Sequence, residues 1–367
     1  MRKATLLLLC LTLASRPSPA SDVNTAGKLF LLAPGARSVG MGGCGTLLGE
    51  ACSGLYNPAA QALTADVSGA IYINPHPEFG SAYEFLTLTM GARSEFGYIG
   101  FSYLSRQGTE GTDFPPEEAS ALVMAGRPSE KIKLTVGAAF KILASHKANF
   151  IALNESPSRT FKMAFDLGVT YSGLLPHSTL GKSKRREDDL HSQFGRPFPR
   201  GIAIGLAFQN LGGRIEYDYA IDIEMLPQIF RADLLWGIYE SRWWDLRAAG
   251  QLQKLLVARN QAGGYKNATD AFFQAWGGGS REGGWTSHLG FELSLFSLAS
   301  ARMGWSADHG DHRSFTHAGL GLGPEWARFN IAWMHEPGAD NDLPDELRYD
   351  LSAGVSYEQI RRWMNLD

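Results

Sequence analysis

KIKLTVGAAFKILA, residues 131–144, decides the fold. Ile132, Leu134, Val136, Ala138, Phe140 and Ile142 fall on one side of an extended chain. Lys131, Lys133, Thr135, Gly137, Ala139 and Lys141 fall on the other. Side chains of a strand alternate between two faces, so a period of two marks a β-strand with one apolar and one polar face. The same alternation recurs at 161–172, where Phe161, Met163, Phe165, Leu167, Val169 and Tyr171 oppose Lys162, Ala164, Asp166, Gly168, Thr170 and Ser172. It returns at 201–210, where Gln209 closes the polar register, and at 327–333, where Phe329, Ile331 and Trp333 oppose Arg328, Asn330 and Ala332.

Alternation alone does not name the solvent. A soluble sandwich buries the apolar set and wets the polar one, whereas a membrane barrel turns the apolar set to lipid and the polar set to the lumen. Three features favour lipid. The segments 131–145 and 160–174 exceed the usual globular strand of about five or six residues. Fourteen such segments follow one another: 67–74, 84–91, 95–105, 119–127, 131–145, 160–174, 200–210, 229–239, 243–257, 286–295, 298–306, 315–322, 327–334 and 347–357. Their gaps alternate short and long, as periplasmic turns and outer loops do in outer-membrane barrels. Aromatics gather near the segment ends, with Trp243, Trp244, Trp326 and Tyr357 at one level and Tyr72, Tyr103, Trp305 and Trp333 at the other. Such rings favour the membrane interface. A soluble periplasmic β-sandwich or propeller is the competing fold.

One gap, 175–199, is long where the alternation asks for a short turn. It carries Lys182, Lys184, Arg185 and Arg186 followed by Glu187, Asp188 and Asp189. It reads as a solvated insertion, or more sharply as a docking site for an acidic periplasmic partner.

Residues 1–20 read as a secretory signal. Arg2 and Lys3 precede the apolar run Ala4 to Ala14, and Ser18-Pro19-Ala20 offers a small-residue cleavage site. Without Arg2, Lys3 and Arg16 the 34 Lys+Arg fall to 31 against 37 acids, a formal charge of −6. That balance speaks against nucleic-acid binding. Two cysteines remain, Cys44 and Cys52. In an oxidising compartment they are either a disulfide across a short loop or two buried free thiols.

The expected division is therefore a signal at 1–20, a Gly/Ala-rich segment at 21–66, a barrel at 67–357 and a polar tail at 358–367. The glycines of 21–66 permit close approaches, and Pro58 pushes Asn57 out of the helical region. A compact segment of this kind suits a lumen lined by Gly137, Gly168, Gly205, Gly319 and Gly321, or it packs below the barrel. Lys141 and Asp166 face the lumen on neighbouring strands near one level, which predicts an ion pair. Gln209, Arg328 and Asn330 are the other expected lumen residues.

Catalytic chemistry is not legible. Gly40-Met41-Gly42-Gly43-Cys44-Gly45 lacks the preceding strand that a dinucleotide site requires. None of the nine histidines sits in a nucleophile motif. Asp308-His309-Gly310-Asp311-His312 and the acidic run at Asp340, Asp342, Asp345 and Glu346 are read as turns and a solvated loop rather than metal sites. The expectation is no enzyme, no metal and no cofactor.

The segment Lys28 to Ala60 resembles the N-terminal signature of the PorV/PorQ family, within the wider FadL-type barrels. The residues that carry it are Phe30-Leu31-Leu32, Gly35-Ala36-Arg37-Ser38-Val39-Gly40-Met41-Gly42 and Asn57-Pro58-Ala59. Ala164-Phe165-Asp166-Leu167-Gly168 and Gly205 to Gly213 extend the likeness. The resemblance implies an all-β transmembrane antiparallel barrel of fourteen strands with an N-terminal plug whose motif residues are Gly35, Gly40, Met41, Gly42, Asn57, Pro58 and Ala59. It implies one of two roles in the outer membrane. A PorV-like member serves protein export or surface attachment in type IX secretion, with secreted cargo and secretion-machinery proteins as partners. A FadL-like member passes hydrophobic solutes.

Overall fold

The computed structural model describes residues 28–31, 35–64, 67–74, 85–94, 97–106, 117–129, 134–147, 158–172, 201–215, 224–241, 243–257, 268–276, 284–310, 313–324, 326–337, 346–355 and 357–364. The signal stretch, the basic-acidic insertion at 175–199, and Asp311, His312, Asp340, Asp342 and Asp345 lie outside them.

The alternating segments become long antiparallel strands. They are β1 (Val67–Asn74), β2 (Phe85–Ser94), β3 (Gly97–Arg106), β4 (Glu117–Ser129), β5 (Leu134–Lys147), β6 (Ser158–Ser172) and β7 (Ile202–Gly212). After a two-residue hairpin, β8 (Arg214–Ile215) with β9 (Glu224–Met225), come β10 (Ile229–Glu240), β11 (Trp244–Leu255), β12 (Trp285–Leu295), β13 (Ala299–Asp308), β14 (Arg313–Leu322), β15 (Ala327–His335) and β16 (Glu346–Val355). Fourteen of these, all but β8 and β9, form one closed barrel. Closure is by β1 against β16, from Val67 opposite Val355 to Ile73 opposite Tyr349. A closed sheet has no edge, so every ladder hydrogen bond is made within the wall.

The wall sorts its side chains by face. In β6, Met163, Phe165 and Leu167 point outward and are more than half exposed, while Ala164 and Asp166 between them are buried inside. Outward Met90, Phe101, Met124, Met303, Leu320 and Leu351 continue this belt around the barrel. A belt of that size on a soluble monomer would be a severe liability, whereas facing acyl chains it is satisfied. Among the described residues no helix is long and apolar enough to cross a membrane, and the strands do the crossing. Strand order puts the short connections at 95–96, 130–133, 241–243, 296–298 and 323–326 at one end, taken as periplasmic, together with the long connection 173–201, and most of the other long connections at the opposite end.

Trp243, Trp244 and Trp326 lie exposed at the short-turn rim, and Trp305 and Trp333 lie outward nearer the loop end. Tyr72 departs from the girdle expected of it. It faces the lumen, where its hydroxyl accepts the Cys52 backbone N–H at 3.2 Å. The last strand ends at Val355, two residues before the expected Tyr357. The tail predicted as merely polar begins a helix there, and the Tyr357 hydroxyl donates to the Arg93 carbonyl across the seam.

Among the described residues four short helices accompany the barrel: α1 (Ala36–Gly40), α2 (Ser53–Tyr56), α3 (Ala268–Gln274) and α4 (Tyr357–Trp363). The first two, with a 3-10 turn at Pro58–Leu63, are buried against inward-facing side chains of the wall. Residues 35–64 therefore occupy the lumen.

Candidate functional site

Two docking regions and one apolar pocket stand out among the described residues of the lumen. In the first docking region glycines clear the space. A Cβ on Gly168 would collide with Asn57 Oδ1, and one on Gly137 would collide with the backbone of Pro58 and Ala59. Asn57 is held extended at φ −152°, with Pro58 opening the 3-10 turn behind it. Its Nδ2 donates to the carbonyls of Val169 (3.3 Å) and Leu206 (3.2 Å), and its Oδ1 accepts the Ala59 N–H at 3.0 Å. Nearby, Gln209 Nε2 donates to the Leu55 carbonyl. Every bond here is neutral.

The second docking region pairs glycines and charges. Met41 and Gly42 press their backbone on Gly290 of β12 and Gly304 of β13, and Gly40 meets Gly319 of β14. Gly42 sits at φ +72°, a conformation that favours glycine. Beside it Arg37 donates its Nε (2.7 Å) and Nη2 (2.6 Å) to Glu292. The same carboxylate receives Arg302 Nε at 2.7 Å and Arg247 Nη1 at 3.3 Å. Arg302 passes on to Asn330 (2.9 Å) and Ser300 (2.6 Å), and Asn330 donates to Asp350 at 2.6 Å. Asp350 in turn accepts the Ala36 N–H at the start of α1, 2.8 Å away. Glu50 approaches Arg37 to 4.0 Å, and burial pushes its carboxyl up to about 7 despite the guanidinium. Charges buried this deeply persist only when paired and hydrogen-bonded, as Glu292 is by Arg37 and Arg302.

A third region lies toward the loop end, where apolar inward positions sit beside the buried Arg106 and Glu117. Leu104, Ala119, Leu143 and Ala164 from β3 to β6, with Leu226, enclose Leu29 and Phe30 of the 3-10 turn Lys28–Leu31. The Leu29 N–H donates to Glu117 Oε2 at 3.0 Å. At its edge the Lys141 ammonium lies 4.9 Å from the Phe30 ring centre and 2.6 Å from Asp166. It also donates to Asn210 Oδ1 at 2.8 Å. A register shift between β6 and β7 frees the Asn210 backbone, at φ 55°, to donate to Asp166 Oδ1 at 2.7 Å. Bulges of this kind re-aim polar groups at sites of use.

The expected residues sort as follows. Gly35, Gly40, Met41, Gly42, Asn57, Pro58 and Ala59 all lie in the lumen segment. Lys141, Asp166, Gln209, Arg328 and Asn330 face it and are buried. Arg328 donates to the Ser297 carbonyl (3.0 Å) at the short-turn end, apart from the docking contacts. The Cys44–Cys52 disulfide is not formed. Both thiols are free, Cys44 packed with Met41, Leu47 and Leu48, and Cys52 in a different cluster with Tyr56 and Tyr72. Sequence reasoning missed Arg37, Glu292, Arg302 and Asp350 as a group. The signal available was a charge in the polar register of an alternating strand, as in Phe291-Glu292-Leu293 and Ala301-Arg302-Met303. Register alone does not say that they converge.

No protein-family model matches the chain, and no curated protein matches it in sequence. Its fold is found in solved structures. The toluene transporter TbuX of Ralstonia pickettii superposes with a TM-score of 0.51 at 10% identity, over 87% of this chain and 97% of that one. The toluene transporter TodX of P. putida gives 0.51 at 12% identity, over 88% and 99%. At such identity the likeness establishes architecture. The chain is a closed, fourteen-stranded antiparallel barrel that shares its fold with these two transporters.

Proposed function

We propose that this chain is an outer-membrane channel for small hydrophobic solutes, gated by its N-terminal segment. One observation carries the reading. Leu104, Leu143 and Leu226 form an apolar pocket near the loop end, and the chain's own Leu29 and Phe30 fill it. An apolar pocket with a few placed polar groups is the usual form of a small-molecule site. A solute that displaces Phe30 gains the same contacts, with the Lys141 ammonium at the pocket edge. Passage then requires the segment at 35–64 to shift, because it fills the lumen below.

Two solved barrels that share the fold are named as toluene transporters, which favours this reading over cargo export. The export role has only the sequence resemblance, at Lys28 to Ala60 and in the strand motifs, behind it. No step in the proposed passage makes or breaks a covalent bond.

The test is equilibrium binding of a monoaromatic hydrocarbon to the purified barrel, with uptake by cells that express it. Leu143→Asp should weaken binding at least tenfold and abolish uptake while the barrel still folds. Unaltered binding in that variant, or enrichment of a secreted protein on the barrel with no solute uptake, would overturn the proposal.

A further inference from the structure

The helix α3 lies outside the barrel, and we infer that it is an in-plane anchor seated in the acyl chains of the outer leaflet. Its partner is lipid. The inference is independent of what the lumen carries.

The helix belongs to the long connection between β11 and β12 at the loop end. Its rings pack on outward-facing rings of the wall. Phe272 lies 5.4 Å from Phe208 of β7, and Trp276 lies 5.1 Å from Phe230 of β10 and 6.2 Å from Trp285 of β12. Phe208 follows Ile204 and Leu206 on the outer face of β7, and both of those are exposed in the lipid belt. The helix thus covers the wall at the upper margin of that belt. Lys254, also on the outer face, lies beneath this cover with its Nζ 5.1 Å from the Trp285 ring.

At about 100° per residue the helix has three sides. Ala271 and Ala275, 0% and 1% exposed, form the side against the wall. Phe272, Trp276 and Phe273 form the second, and Phe273 and Trp276 remain 70% and 43% exposed. Asp270 and Gln274, both exposed, form the third, with Gln274 about 160° from Phe272 and Trp276 and about 100° from Phe273. Small residues let the helix lie close on the strands. A polar side set against an aromatic side is the arrangement of a helix at a lipid–water boundary, with its rings down and its polar side up. What covers Phe273 is read from continuity: the nearest exposed apolar surface is the belt that already faces lipid.

Spin labels at Phe273→Cys and Gln274→Cys in a lipid nanodisc test this. Cys44 and Cys52 are buried, and both target positions are exposed. Collision with dissolved oxygen reports lipid, and collision with a water-soluble nickel chelate reports water. A label at Leu206→Cys supplies the lipid reference. The expected result is an oxygen-to-nickel ratio at 273 within about twofold of that at 206, and several-fold lower at 274. Equal, water-like ratios at 273 and 274 would overturn the inference. Shielding of 273 from both reagents would also overturn it, since that marks a protein partner or second copy on the helix.

Discussion

The lumen segment is fastened at two places by opposite chemistry. At Asn57 the contacts are neutral: an amide reaching two backbone carbonyls over glycines that leave no room to spare. At Arg37 the contacts are ionic: a guanidinium sharing Glu292 with Arg302 and Arg247. The neutral dock loses little by hydration and gains from shape. The ionic dock is strong only while dry and complete, since water screens the charges and a missing partner leaves its neighbours buried and unpaired. The difference assigns tasks under the proposed gating. The Asn57 dock is the fixed hinge, and the Arg37 dock is the contact that opens.

Glu292→Gln should break the comparison most severely. It leaves Arg37, Arg302 and Arg247 without their shared charge, at a cost of about 3–5 kcal/mol. A lowered thermal midpoint of the detergent-solubilised barrel, together with larger ion conductance in planar bilayers, is the expected pair of results. Stability and conductance unchanged from wild type would remove the ionic dock from the gating scheme.

Glu50→Gln should strengthen the same dock. The native carboxyl sits near 7, above its ordinary 4.5, so it is neutral on both sides of folding below about pH 4.5. Between there and about 7 the native state holds the proton more tightly, and stability falls as pH rises. The variant should match wild type at pH 4 and exceed it at pH 8 by on the order of 1–3 kcal/mol. Thermal midpoints across that range check the sign.

Gly168→Ala attacks the neutral dock by shape. The added methyl runs into Asn57 Oδ1, and overpacking of this kind costs about 1–3 kcal/mol. Combining it with Asn57→Ala should cost less than the sum of the two, because the smaller residue vacates the collision. Asn57→Ala alone should have the smallest effect, about 1 kcal/mol for its hydrogen bonds, with little change in conductance. A large conductance increase there would reverse the assignment of hinge and latch.

Much of the barrel was legible because each strand writes its two environments into alternate residues. Residues 131–144 and 161–172 announce their faces, and the expected strand limits fall within a few residues of β1 to β7 and β10 to β16. The helix α3 was not legible. Seven residues inside a long loop carry no sustained period, and the rings that hold it come from β7, β10 and β12. Tyr72 was misread for a related reason: an aromatic in a strand register can serve either face.

What the chain determined by itself was therefore local: strand periodicity, strand number, the medium on each face, and a glycine-rich segment small enough for the lumen. Tertiary structure decided which inward charges meet. Arg37 and Glu292 are 255 positions apart, and only closure of the barrel with the segment inside brings them to 2.6 Å. The two cysteines were separated in the same way. A spacing of eight positions left a disulfide and two free thiols both open, and packing sent one thiol toward β7, β10 and β11 and the other toward β1, because each fills the nearest apolar gap in the wall.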